Sequence, residues 1–422
     1  MWAAEPKRPL KVAAILTAFF YRSHAHVILE NFLVPYLFNA KVVDPRKAFQ
    51  IASFYVDQFP PDGDMARATA EQFHIPIYDS ITEAICLGGD KLAVDAVLLI
   101  CEHGEYPLNE KGQTLYPKKA FFDEIVSVFK TSGRVVPLYN DKHLSHTWPE
   151  AKEMVDTSRE MGFGLMAGSS VPLAQRIPKV ELTRGAKIEE AVSIHGGPLE
   201  SYGFHGLEVL ESMLETRASG ETGISEVRYV EGDALWQTAE QGLWSAELAR
   251  AAMAAELGEG LPPPKTLVAE RFPEAEPHAF LLGYRDGTRA AVLKLGSTGI
   301  RWNFACRVAG KPEPLATRFH VGPWQNRNLF KALAHAIQAH FLHNQSPYPV
   351  ERTLLASGAL EAAIDSHVGR GKVVKTPHLE WAYAPQDFSA YREMGATWQI
   401  ITEEVQQPAG IAPVGINPTD RK

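Results

Sequence analysis

The chain has 422 residues, 45% apolar and 22% charged, with 50 carboxylates against 42 Lys and Arg for a formal net charge of −8. That balance excludes a wholly disordered or collagen-like polymer, and at about 150 residues per domain the length asks for two to three domains. A mildly acidic surface argues against nucleic acid as a partner, because such binders carry a basic face.

The first strong element covers residues 11–16, a buried strand. The apolar run 12–21 behind Lys7, Arg8 and Lys11 has the length of a signal-peptide core. No small-residue cleavage site follows it, so the buried strand is the preferred reading. No run of about 18 apolar residues occurs, so no membrane span is expected. Residues 23–38 have helical apolar spacing behind a capping Ser23. A strand at 50–56, a helix at 64–73, a short extended piece at 75–78 and a helix at 80–87 follow. Residues 95–100 form a continuous apolar strand of the kind covered on both faces. Then come a helix at 118–131, a strand at 134–139, a helix at 148–162 and a strand at 164–167. This alternation predicts an α/β fold with an N-terminal Rossmann-like, doubly wound parallel sheet.

The rhythm changes after Gly168. Strands are expected at 187–195, 225–229, 279–284, 289–295 and 302–308, with a hairpin turn at Asp286-Gly287. Helices are expected at 206–216, 245–257 and 328–345, and a Pro-rich loop at 258–265. The reading is a C-terminal α+β domain with a large, mostly antiparallel sheet. The division is 1–168 for the Rossmann-like domain, 169–405 for the substrate and association domain, and 406–422 for an irregular tail.

Cys86, Cys101 and Cys306 are odd in number and widely spaced. They make no disulfide framework and no CxxC zinc site, so a reducing, cytoplasmic setting and no metal are expected.

Ligands of a doubly wound sheet sit at the carboxyl ends of its strands. After the first strand, Thr17-Ala-Phe-Phe-Tyr-Arg22-Ser23-His24 holds no glycine. Phe19, Phe20 and Tyr21 are bulky where a dinucleotide fold keeps its backbone bare. Thr17, Arg22, Ser23, His24 and the helix amides are the candidates to hold an anion. Asp57, after the second strand, suits the two hydroxyls of an adenosine ribose, or else caps a loop. Glu102 and His103 follow the strand at 95–100 and offer an acid–base site, or else a solvated loop. Asp141 and Lys142 stand at the next strand end, where a lysine orients a hydroxyl or makes a plain ion pair. His205 and Glu208 are three apart. They read as an imidazole oriented by a carboxylate, as two metal ligands, or as a satisfied structural histidine. His24 and His26 diverge on a helix, and the His340/His343 pair is explained by an amphipathic face.

The order of these features resembles the Gfo/Idh/MocA oxidoreductases, the glucose–fructose oxidoreductase and inositol dehydrogenase group. Ala70-Glu-Gln-Phe-His-Ile-Pro-Ile-Tyr78 is similar to the family's "fGip-y" strand, and 95–100 to its "vDaV-iatp" strand. Asn140-Asp141-Lys142-His143 falls where the family carries Glu-Lys-Pro. Leu165-Met-Ala-Gly168 is similar to its "l-vg" strand, and Ser201-Tyr-Gly-Phe-His205-Gly-Leu-Glu208 falls at Asp-x-Gly-x-His-x-x-Asp. The resemblance implies NAD or NADP as cofactor, hydride transfer on a sugar or cyclic polyol, and a homodimer or homotetramer associating through the second sheet. It places Lys142 on the substrate hydroxyl, His205 in proton transfer, and Glu208 at the second acidic position. Glycines are absent from the first turn, His143 replaces a proline and Ser201 replaces the first aspartate. The alternative is a relative that kept the fold, lost the redox cofactor, and serves as a ligand-binding or regulatory protein or a non-redox enzyme.

Overall fold

The computed structural model describes residues 6–297, 301–406, 408 and 410–412. In chain order the first half contains β1 (Leu10–Leu16), α1 (His24–Leu33), β2 (Tyr36–Phe38), β3 (Lys41–Val43), β4 (Phe49–Val56) and α2 (Ala66–Phe73). It continues through β5 (Ile77–Tyr78), α3 (Ile81–Cys86), β6 (Ala96–Ile100), α4 (Lys118–Ser132), β7 (Leu138–Asp141), α5 (Trp148–Met161) and β8 (Leu165–Gly168). β1, β4, β5, β6, β7 and β8 form one parallel sheet in the order β5-β4-β1-β6-β7-β8. Counting only these six, the order is 3-2-1-4-5-6, the Rossmann arrangement with its switch point between β1 and β6. β6 and, from Val12 on, β1 are apolar and buried because helices cover both faces.

The expected helix at 23–38 stops at Leu33. Val34 precedes Pro35 and is extended (φ −131°, ψ 156°), because a proline ring disfavours helical backbone before it. The remainder becomes the β2–β3 hairpin, turning through Asn39 and Ala40 at φ 48° and 61°. The strand expected at 134–139 starts only at Leu138 and runs on to Asp141.

The second half contains β9 (Gln175–Ile177), β10 (Ile188–His195), α6 (Leu199–Leu214), β11 (Ile224–Glu231), α7 (Gly232–Glu240), α8 (Ala246–Leu257) and α9 (Pro264–Arg271). It closes with β12 (His278–Tyr284), β13 (Arg289–Lys294), β14 (Trp302–Val308), β15 (Leu315–His320), α10 (Asn326–His343), α11 (Val350–Val368) and β16 (Val374–Lys375). Its strands form an eight-stranded sheet, β16-β11-β12-β13-β10-β14-β15-β9, antiparallel except between β10 and β13. Residues alternate between its faces. Ala291 and Leu293 of β13 belong to one core cluster with Leu248, Ala252 and Leu267 of α8 and α9, while Val292 belongs to another with Phe204 and Leu207 of α6. Helices therefore cover both faces. α7 to α9 lie on the face opposite α6.

α10 packs on α1, and α11 packs on α5, α6, β8 and β11, so these two helices join the sheets. The expected irregular tail lies largely outside the described residues. Within them, Ile411 accepts a hydrogen bond from His26 Nε2 at 2.6 Å and Pro408 accepts one from Arg327 at 3.0 Å.

Gly168 ends β8 at φ +119°, and a Cβ there would lie 2.6 Å from Thr353 Oγ1 and 3.0 Å from Glu208 Oε1. Both the backbone and the packed α6–α11 contact resist a side chain. Gly168→Ala is expected to lower stability by about 1–3 kcal/mol, read from the denaturation midpoint.

Candidate functional site

The carboxyl ends of β1, β6, β7 and β8 bring together a dense set of titratable side chains. Three non-glycine residues there turn the chain through left-handed backbone: Arg22 (φ 64°), His103 (φ 70°) and Lys142 (φ 56°). Such conformations are unfavourable for residues with a Cβ and concentrate at functional sites.

Glu102 is the centre. It is 4% exposed and takes Lys118 Nζ at 2.6 Å and Lys142 Nζ at 2.9 Å. Burial alone would raise its pKa, but the two ammonium groups hold it well below the usual carboxylate range. Burial pulls Lys142 down, yet the pairing with Glu102 wins and leaves it above the ordinary lysine value. Lys142 therefore stays charged, as a fixed hydrogen-bond donor. It pairs with Glu102 and not with the neighbouring Asp141. Asp141 instead accepts from Tyr139 at 3.1 Å and meets His24 Nδ1 at 2.6 Å. Glu102, for which a solvated loop was the alternative, is buried. His103 is driven down to about 4 by burial first and then by His24.

His205 comes from α6, which begins seven residues before the expected start, so His205 and Glu208 lie inside the helix rather than at its mouth. Its Nδ1 lies 2.6 Å from Ser169 Oγ. Burial, then the charges of Lys142 and His24, hold His205 well below the usual histidine range. It is thus a neutral imidazole within the field of a charged lysine. Glu208 bonds to neither of this pair, though it accepts from the backbone of Ser169. It accepts from Thr353 Oγ1 at 2.6 Å and Arg352 Nε at 3.2 Å, both on α11.

The remaining expected cofactor residues are largely engaged with the protein. Thr17 Oγ1 donates to the Glu102 carbonyl at 2.9 Å, and Ser23 caps α1 by accepting from His26 N. Asp57 is exposed and accepts from Tyr55 and Tyr106 hydroxyls at 3.0 and 2.6 Å. Arg22 keeps its Nε buried without a hydrogen-bond partner among the described residues. The rings of Phe20 and His103 meet edge to face at 5.1 Å, and those of His24 and His103 at 5.2 Å. Phe20 follows β1 and His103 follows β6, so these rings lie across the switch point. Phe19 instead points into the core against Phe54.

Lys118, Ser169 and Arg352 were not expected. Ser169 was accessible to reasoning, since it follows the last strand of the series. Lys118 opens a helix and Arg352 lies within one, and neither position carries a local signal. Among the described residues no group of three or more His, Cys, Asp or Glu is placed to hold a metal ion, and no helix is long and apolar enough to cross a membrane.

No protein-family model and no curated protein matches the chain. Solved structures do. GenD2 from gentamicin A biosynthesis, in complex with NAD, is 12% identical with a TM-score of 0.56, over 89% of this chain and 99% of the other. An oxidoreductase from Agrobacterium radiobacter, in complex with NAD+, L-tartaric acid and magnesium, is 13% identical with a TM-score of 0.53, over 87% and 98%. A myo-inositol dehydrogenase from Lactobacillus casei, in complex with NAD(H) and myo-inositol, is 15% identical with a TM-score of 0.53, over 87% and 96%. At such identity the likeness speaks for the fold: a Rossmann-like parallel sheet joined to a large, mostly antiparallel one.

Proposed function

We propose that the chain is a divergent relative of the Gfo/Idh/MocA oxidoreductases, working in the cytoplasm with NAD or NADP on a hydroxyl-bearing carbon of a sugar or cyclic polyol. The observation that carries this reading is the charged Lys142, fixed by Glu102, within the field of the neutral His205. The dehydrogenase structures that share the fold, with NAD and myo-inositol bound in one of them, support it.

The residues fit a dinucleotide in two places. Left-handed Arg22 turns the chain as a glycine would, and the α1 amides of His24 and Ala25 have no protein acceptor among the described residues. Helix amides without acceptors, beside a guanidinium, suit a pyrophosphate. Asp57 stands exposed at the end of the second strand, where ribose hydroxyls are held. Thr17, Ser23, His24, Glu102, His103 and Asp141 stand at the same strand ends as Lys142, each bonded or packed within the protein. The cofactor, when bound, supplies the hydride acceptor or donor. Lys142 Nζ donates to the substrate oxygen and favours its anionic form. In the tautomer that donates Nδ1–H to Ser169, His205 presents the Nε2 lone pair and takes the hydroxyl proton. Glu208 holds α6, and with it His205, against α11.

A second reading, a chain of this fold without a redox cofactor, is favoured by the Phe20 and His103 rings across the switch point and by the two tyrosines on Asp57. Thermal melts with NADH and with NADPH separate the two. A ligand bound only by the folded state stabilises it, by about 2.7 kcal/mol at a hundredfold excess over Kd. A rise in Tm with either nucleotide is expected. An unchanged Tm at millimolar levels of both rejects the first reading and leaves the second.

A further inference from the structure

We infer that a cavity apart from the strand-end cluster binds a small organic anion through phosphate or carboxylate groups. The cavity, about 580 Å³, lies between β9, the last turn of α6 and residues 385–394. That volume suits a small molecule, since ligand pockets run from about 300 to 1,000 Å³. Its charge is one-sided. Arg176, Lys179, Arg184 and Arg392 line it, against only Glu181 and Asp387, in a chain whose net charge is −8.

The cations are of two kinds. Arg176 and Arg392 are buried and share one carboxylate: Glu181 takes Arg176 at 3.0 Å and Arg392 at 2.6 Å. Two desolvated guanidiniums thus share a single, partly exposed ion-pair partner, with Glu215 the further carboxylate whose charge Arg176 feels. Arg176 Nε is also buried without a hydrogen-bond partner among the described residues. Burial first, and then the charge of Arg392, bring Arg176 down to about 9. Lys179 and Arg184 are exposed, with no carboxylate paired to either among the described residues. Asp387 is occupied in capping Ser389 N at 2.9 Å. Met213 and Phe388 supply apolar wall for the body of a ligand. An anion entering between the exposed pair and Arg176 meets charge-assisted donors, the strongest hydrogen-bonding partners a protein offers. Met213 is eight residues beyond His205 on α6, about 12 Å along the helix, so the cavity is separate from the strand-end cluster.

The test is thermal melting and calorimetric titration of the full chain with phenyl phosphate, citrate, inorganic phosphate and neutral benzyl alcohol, in low salt. Phenyl phosphate or citrate is expected to raise Tm with concentration, and benzyl alcohol to leave it unchanged. A shift with only one of the two anions identifies the charged group the site prefers. Lys179→Ala/Arg184→Ala removes two exposed side chains that no carboxylate pairs with, so folding is spared, and affinity is expected to fall about tenfold. Lys142→Met is expected to leave the affinity unchanged, which separates this site from the strand-end cluster. Equal affinity in parent and double variant overturns the inference, as does the absence of a shift with both organic anions. Inorganic phosphate binding as tightly as phenyl phosphate overturns the organic part of it.

Discussion

Arg352→Met is expected to cost the folded protein about 3–5 kcal/mol, read as a fall in unfolding free energy from chemical denaturation. Arg352 is 0% exposed on α11 and spans two carboxylates of α6, Glu208 at 3.2 Å and Glu215 at 3.4 Å. Without it, both carboxylates are buried with no ion-pair partner within 4 Å among the described residues. Burial already raises Glu208, and it pushes Glu215 up to about 7 against the guanidinium's opposing pull. Removing that pull raises both further. A carboxyl whose folded pKa lies above its unfolded value of about 4.5 binds more protons folded than unfolded. Its favourable contribution is complete below the unfolded value and is lost as pH rises through the folded one. The deficit of Arg352→Met is therefore larger at pH 8 than at pH 5. A deficit below about 1 kcal/mol, or one equal at both pH values, removes this account of how α6 is held to α11.

Lys142→Met is expected to lower turnover of a polyol substrate by about 10²–10⁴-fold, the range general acid–base groups contribute. The stability cost is small by comparison, because Glu102 keeps Lys118 at 2.6 Å. The loss is expected in kcat, with nucleotide-induced Tm shifts retained, since the lysine acts on the substrate oxygen. Lys142→Arg is not expected to restore the rate. A planar guanidinium does not reproduce a compact point charge in a closed space. Wild-type turnover in Lys142→Met would show that the Lys142–Glu102 pair is structural.

The two sites differ in how visible they are along the chain. Asp57, Glu102, His103, Asp141 and Lys142 were legible as candidates because each follows a strand, and the strand ends of a parallel sheet share one edge. What each does there was not legible. Lys142 pairs with Glu102, forty residues earlier, while its neighbour Asp141 turns to His24. Nothing local distinguishes that outcome from a surface Lys–Asp pair. The helix carrying His205 was expected to begin at 206 and begins at Leu199, because packing of Phe204 and Leu207 against β13 extends it past two glycines. α11 escaped notice altogether, although it supplies Arg352 and Thr353. It is buried almost all round, so it lacks the polar stripe by which an amphipathic helix declares itself.

The sequence by itself determined the parallel sheet and the change of architecture after Gly168. Continuous apolar runs and capping residues such as Ser23 act within a few residues of where they stand. It also determined that the first turn holds no glycine. Only the tertiary structure decided what that turn does: Phe19 enters the core, Phe20 lies against His103, and left-handed Arg22 leaves the first amides of α1 without protein acceptors. It alone decided that the second sheet is covered on both faces and that Arg352 neutralises Glu208. Those outcomes depend on which buried charges and rings meet across long stretches of chain, and the free energy of such a meeting is set by desolvation and partner geometry, neither of which exists until the chain has folded.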